Sequence, residues 1–276
     1  MARRSKTQEY LDTLWRTYDR RFLPDDPLVF ARRYSDRDDV EVAAFFAAAL
    51  AYGRVETVRK SVAAALAPLG PRPAAFIRAY APRRRHPFTG FFHRWTRADD
   101  LDRLCRLLRR IYTDHGNLEA FFLQGYREEE PHLEGALTRF VANVARLPEA
   151  PPPGTRTAPG AWFFFPSPAG GSPCKRLNMF LRWMIRRDTL DCGLWRPIPP
   201  AKLIIPLDVH VARAARRLRL TRRKSDGWRT AVEITDRLRR YDPVDPVKYD
   251  FALAHHGMRL LRGTAAPVPA PRRRTA

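Results

Sequence analysis

Lys175 stands in the run Gly170-Gly171-Ser172-Pro173-Cys174-Lys175-Arg176-Leu177-Asn178, where a glycine turn leads into a helical pattern whose first turn carries an amine. Bare amides at a helix start can bind a phosphate oxygen, and glycines let the backbone approach it closely. The positive end of a helix dipole also disfavours a protonated amine, which suits a nucleophile. Only six of the 51 cationic residues are Lys, the rest being Arg, and Arg cannot lose a proton and attack. From spacing alone, a nucleophile and a phosphate-contacting or solvated lysine both remain open.

The second constellation is Leu203-Ile204-Ile205-Pro206-Leu207-Asp208-Val209-His210-Val211, an apolar stretch closed by Pro and by an Asp that opens a helical pattern. Asp there predicts an N-cap. A cap and a catalytic carboxylate are compatible, because a carboxylate at a helix start stays ionised and can stabilise a nearby cation. Seven of the twelve residues from 213 to 224 are basic and none is acidic, so a phosphate-facing edge with Arg213, Arg216 and Arg217 is expected beside this Asp.

Composition points the same way. The 51 Lys plus Arg against 29 Asp plus Glu leave a net charge of +22 over 276 residues, a surface that attracts polyanions, nucleic acid foremost. Cys105, Cys174 and Cys192 are widely spaced and cannot build a disulfide framework or a four-thiolate cluster. His210, His255 and His256 lack metal-site spacing, so no metal is expected. Phosphate-loop, dinucleotide-binding and nucleophile-elbow motifs are absent, and no stretch is apolar enough to span a bilayer. The N-terminus carries no signal peptide pattern. A cytoplasmic protein without a cofactor is the expectation.

Helical periodicity supplies the elements that must hold these residues. Apolar spacing predicts helices over 9–22, 40–52, 55–69, 99–112, 118–124 and 133–147, with Asp38 or Asp39 capping the second of them. No alternating strand pattern appears. Residues 148–173 hold eight prolines and four glycines around Trp162-Phe163-Phe164-Phe165, a long connection whose aromatic run should fold back on the helices. Helical spacing resumes over 174–186, 208–218, 227–241 and 247–261, ahead of a Pro-rich tail ending in Arg272, Arg273 and Arg274.

The order of these features resembles the helix-hairpin-helix DNA glycosylase superfamily. Lys175-Arg176-Leu177-Asn178-Met179-Phe180-Leu181 is similar to the Lys-x-x-Asn-x-x-Leu of its bifunctional members, and Leu207-Asp208-Val209-His210-Val211-Ala212-Arg213 to their Asp-Thr-His-Val-x-Arg segment. Ala48-Ala49-Leu50-Ala51-Tyr52-Gly53-Arg54 resembles the early helix and DNA-wedging turn, Pro73-Ala74-Ala75-Phe76 holds the position that follows, and residues 245–257 resemble the closing helix. The separation of 33 positions between Lys175 and Asp208 is similar to that of the archaeal 8-oxoguanine branch. The sequence departs in having Gly-Gly-Ser-Pro-Cys before the Lys, not Gly-x-Gly, and in lacking the iron–sulfur cysteines of another branch.

What the resemblance implies is an all-α, two-lobed fold with a helix-hairpin-helix element. It would comprise N-terminal helices in 1–37 packing on the second lobe, a helical lobe in 38–147, the connection 148–173, a catalytic part in 174–262 and a disordered tail in 263–276. It further implies a monomeric, nucleoid-associated base-excision enzyme acting on double-stranded DNA that contains a damaged base such as 8-oxoguanine. Lys175 would form a Schiff base, with strand cleavage to follow, and Asp208 would assist. Gly170, Gly171, Arg54, Arg176, His210, Arg213, Arg216 and Arg217 would contact DNA, and Trp183 and Trp195 are the candidates for the walls of the base pocket. The competing expectation is a non-enzymatic binder of DNA or RNA structure that uses the same residues as phosphate clamps.

Overall fold

Helical spacing is met almost throughout. The computed structural model describes residues 5–81, 86–150 and 160–264, and holds twelve α-helices among them. The chain opens with α1 (Lys6–Thr17), a 3-10 turn (Arg20–Asp25), α2 (Leu28–Ala31) and α3 (Arg37–Ala49). The cap of α3 is Asp36, not Asp38 or Asp39, because Asp36 Oδ1 already accepts from both Asp38 N (3.0 Å) and Asp39 N (3.1 Å). Asp39 is turned to another task and accepts from Ala74 N at 2.8 Å.

Next come α4 (Val55–Leu66), α5 (Pro73–Arg78), a two-stranded hairpin of β1 (Phe92–His93) and β2 (Thr96–Arg97), α6 (Ala98–His115), α7 (Leu118–Leu123) and α8 (Glu134–Ala145). The hairpin corrects the expectation of no strands. Each strand has two residues, too few for alternation to register, and the turn places Arg94 at φ 58 where sequence reasoning looks for glycine. Packing holds it there: the Arg94 guanidinium lies 4.7 Å from the centre of the Trp95 ring.

After 3-10 turns at Ala161–Phe164 and Pro168–Gly170 come α9 (Lys175–Ile185), α10 (Val209–Arg217), α11 (Trp228–Arg239) and α12 (Asp250–Leu261). The basic stretch 213–224 is not one helix. It turns after Arg217, with Arg219 at φ 57, and Arg216 is spent on the carbonyls of Arg223 and Lys224 (2.9 Å each) and on Asp226. Residues 151–159 of the connection and 265–276 of the tail lie outside the described residues.

At the centre is α3, every residue of which from Asp39 to Ala49 is buried. A helix apolar on all sides can be stable only with neighbours all round it, and α2, α4, α5 and α9 are among those packed against it. One acid lies among them. Glu41 is 1 % exposed and accepts from Tyr112 Oη (2.7 Å), Leu118 N (2.8 Å), Glu119 N (3.2 Å) and Trp195 Nε1 (2.8 Å), so it joins α3 to α6, to the start of α7 and to the loop after α9. Behind α9, α10 packs on α12 and α12 on α1. The buried side chains form one contiguous cluster from Leu11 to Leu253, so the two expected lobes share a core. Among the described residues no helix is long and apolar enough to cross a membrane.

Candidate functional site

Asp208 is the N-cap of α10. Its Oδ1 accepts from His210 N and Val211 N, both at 2.9 Å. Both bonds use one oxygen of this half-buried carboxylate. Lys175 is the first residue of α9, and its Nζ donates to the carbonyl of Ala51 at 3.1 Å, just past the end of α3. That contact fixes the amine where α3 and α9 meet and leaves donor positions free.

Both residues line one cavity of about 340 Å³. This lies within the range of roughly 300–1,000 Å³ usual for small-molecule sites. Its walls come from the turn after α3 (Tyr52), from α9 (Met179, Arg182), from the start of α10 (His210), from α12 (Asp250) and from Asp26 ahead of α2. Lys175, Met179 and Arg182 fall at i, i+4 and i+7 on one face of α9, which is why one helix supplies both cations.

Charge in this cavity is arranged in pairs. Arg182 is 2 % exposed and donates to Asp250 Oδ2 (2.8 Å) and to both oxygens of Asp191 (3.0 and 3.2 Å). Burial pushes the Asp250 carboxyl up to about 6, and Asp208 adds to the rise, while Arg182 and Lys175 oppose it. Asp26 goes the other way: burial would raise it, but the hydrogen bond and charge of His255 and the amide of Leu28 hold it below the usual carboxylate range. The cavity thus presents an ionised carboxylate at Asp26. Nδ1 of His210 is buried without a hydrogen-bond partner among the described residues.

The turn before Lys175 departs from the glycine pattern of the resemblance in an instructive way. Cys174 itself takes the left-handed conformation, φ 48 and ψ 35, directly ahead of α9. A side chain there costs on the order of 1–2 kcal/mol, and Cys174 is held by its own thiol, whose one proton is shared between the carbonyls of Pro166 (3.3 Å) and Ser172 (3.4 Å). Burial pushes that thiol up to about 12, so it is no nucleophile at neutral pH. The element preceding the turn is the three-residue Pro168–Gly170, shorter than the first helix of the expected hairpin. Gly170 and Gly171 are exposed but lie away from the cavity, with the Gly171 carbonyl accepting from Trp228 N at 3.1 Å.

Three further expected site residues are placed elsewhere. Trp183 and Trp195 are each 1 % exposed and do not line the cavity. Their rings are consumed by packing, that of Trp195 between Phe122 and Phe180 with its indole on Glu41. Arg176 is buried too, donating to the carbonyls of Ala49 (2.9 Å) and Phe163, so it cannot reach a phosphate. Arg54 and Arg213 are exposed, as is Arg217, and His210 lines the cavity. Asp26, Asp250 and Arg182 are the wall residues that sequence reasoning missed. Among the described residues no group of three or more His, Cys, Asp or Glu side chains is gathered to hold a metal ion.

The family described as "Protein of unknown function (DUF2400)" matches residues 26–259, and the chain belongs to it. No curated protein and no solved structure matches the chain.

Proposed function

We propose that the protein is a DNA N-glycosylase with lyase activity, in which Lys175 attacks the sugar of a damaged nucleotide turned out of the duplex. The observation that carries this reading is the shared cavity: one amine and one capped carboxylate, at the starts of two different helices, line the same space. A base must leave the stack before its glycosidic carbon can be reached, so a cavity beside the nucleophile is a requirement of the chemistry.

In the proposed reaction Lys175 Nζ forms a bond to C1′ as the bond from C1′ to the base nitrogen breaks. The departing base keeps that electron pair and takes up a proton. Asp208 stabilises the positive charge that develops on the sugar and accepts the proton released by the amine. Opening of the C1′–O4′ bond, with O4′ keeping the electron pair and taking up a proton, then leaves an imine between Nζ and C1′, and loss of a C2′ proton allows the 3′ phosphate to depart. The ionised Asp26 and the Arg182–Asp250 pair supply hydrogen-bond partners for a polar base such as 8-oxoguanine. The net charge of +22 suits a polyanionic substrate.

Borohydride reduces such an imine to a stable amine. Incubation with duplexes bearing 8-oxoguanine or other oxidised bases is expected to yield a covalent protein–DNA product that Lys175→Gln abolishes. Undiminished trapping by the Gln variant would remove Lys175 from the chemistry, and salt-sensitive binding without base release from any lesion would leave a non-enzymatic binder.

A further inference from the structure

The aromatic run 162–165 is split by the fold. Phe164 and Phe165 are buried, Phe165 against Phe45 at 5.6 Å between ring centres. Trp162 and Phe163 are only half-buried, and they line a second cavity of about 590 Å³ that has Tyr52 and Lys175 in its wall as well. Lys175 and Tyr52 therefore face two neighbouring spaces, one set with carboxylates and one set with rings.

The aromatic wall is rigidly built. Tyr52 stacks on Trp95 (5.2 Å, 13°), and Phe163 meets both rings edge-on, at 4.9 Å and 5.3 Å. From beneath, the Arg176 guanidinium lies 3.6 Å from the centre of the Phe163 ring. Tyr52 Oη donates to His93 O at 2.9 Å, which ties the platform to the hairpin. Trp162 is half-buried, packs in part against the core, and lines this cavity with Phe163. Trp95, stacked on that wall, is 37 % exposed and carries the Arg94 guanidinium 4.7 Å from its ring centre, and both Arg94 and Arg54 are exposed. Rings in contact with guanidinium groups, with exposed arginine close by, match the two faces of a nucleotide, the base and the phosphate.

We propose that this second cavity is a stacking subsite for an unpaired DNA base adjacent to the nucleotide that reaches Lys175, with Trp162 as its main contact. The inference rests on the glycosylase reading for the strand's position but not for its own measurement. Binding is measured by fluorescence anisotropy on a duplex carrying a stable abasic-site analogue, which requires no chemistry, and on the same duplex with the neighbouring base on either side also removed. For the wild-type protein, loss of the neighbour on one side is expected to weaken binding roughly 5- to 100-fold, the range for one base–aromatic stack. Trp162→Ala is expected to bind the original duplex more weakly by a similar factor and to be indifferent to that base, with Trp162→Phe restoring the dependence.

Wild-type binding that ignores both neighbours overturns the proposal, whether or not Trp162→Ala folds. So do factors that multiply independently when variant and base removal are combined. Polyphosphate that competes as well as the duplex does would show that charge alone is recognised, and would overturn it too. Failure of the glycosylase reading shows up separately, as absent base release and absent trapping.

Discussion

Arg182 Nη1 donates to Asp250 Oδ2 at 2.8 Å inside the wall that separates the core from the cavity of Lys175 and Asp208. The same guanidinium holds Asp191 through both of its oxygens, and Asp191 is also paired with Arg186. Removing Arg182 leaves Asp250 desolvated without this cation and Asp191 with Arg186 alone. Arg182→Met should therefore cost about 3–5 kcal/mol, read as a fall in the urea midpoint of unfolding. A loss under about 1 kcal/mol would mean that water reaches Asp250 and Asp191 freely.

The Asp250 carboxyl gives this wall a pH dependence. Burial raises it from 3.8 to about 6 in the folded protein, so between those values the folded state holds a proton that the unfolded state has lost. The stability this group contributes is complete below about 4 and is lost as pH rises through about 6. Asn cannot titrate, so Asp250→Asn removes the dependence. The wild type's stability relative to the variant should decline from pH 4 to 7, as measured by paired urea titrations. A difference that stays level would mean that folding leaves this carboxyl unshifted, and one that grows with pH would mean that the fold favours its ionised form.

Much of this site is legible in the sequence once the right spacing is applied. Asp208 declares itself as a cap because Pro206 and an apolar stretch precede it, and Lys175 because a glycine turn does. Arg182 was equally legible, at i+7 from Lys175 with Met179 between, but in a chain with 45 Arg one more cation on a helix carries little signal. The tryptophans misled for a physical reason. Trp183 follows Met179 by four residues, a spacing that suits the cavity face, yet its ring is 1 % exposed and packed in the core, and Trp195 is claimed by Glu41. What no local pattern could supply is the approach of α12 to α10, which brings Asp250 beside Asp208. Nor could it supply the hairpin, whose Arg94 turn is made possible by Trp95 and Gly53.

That approach of α10 to α12 depends on a missing side chain. A Cβ built on Gly257 would lie 2.8 Å from Cβ of His210 and 3.3 Å from its Cα. Neither atom is the end of a flexible chain, so the helices must separate to accept it. Gly257→Ala is expected to cost about 1–3 kcal/mol and to displace the start of α10, Asp208 included. Thermal unfolding and trapping should fall together in this variant; wild-type values for both would show that the two helices have slack.

Structural and chemical roles of Asp208 can be separated by two substitutions. Asn keeps an oxygen for the amides of His210 and Val211, whereas Ala leaves both without a cap. Asp208→Ala should therefore lose about 0.5–2 kcal/mol of stability and Asp208→Asn a few tenths at most. If the carboxylate also stabilises charge on the sugar and accepts the proton from Lys175, both variants should lose base release by about 100-fold or more while retaining DNA binding. Single-turnover rates decide the matter. An Asn variant that is folded, binds DNA and works at the wild-type rate would confine Asp208 to holding the end of α10, and Lys175 would need another proton acceptor from the same cavity, with Asp26 the carboxylate already ionised there.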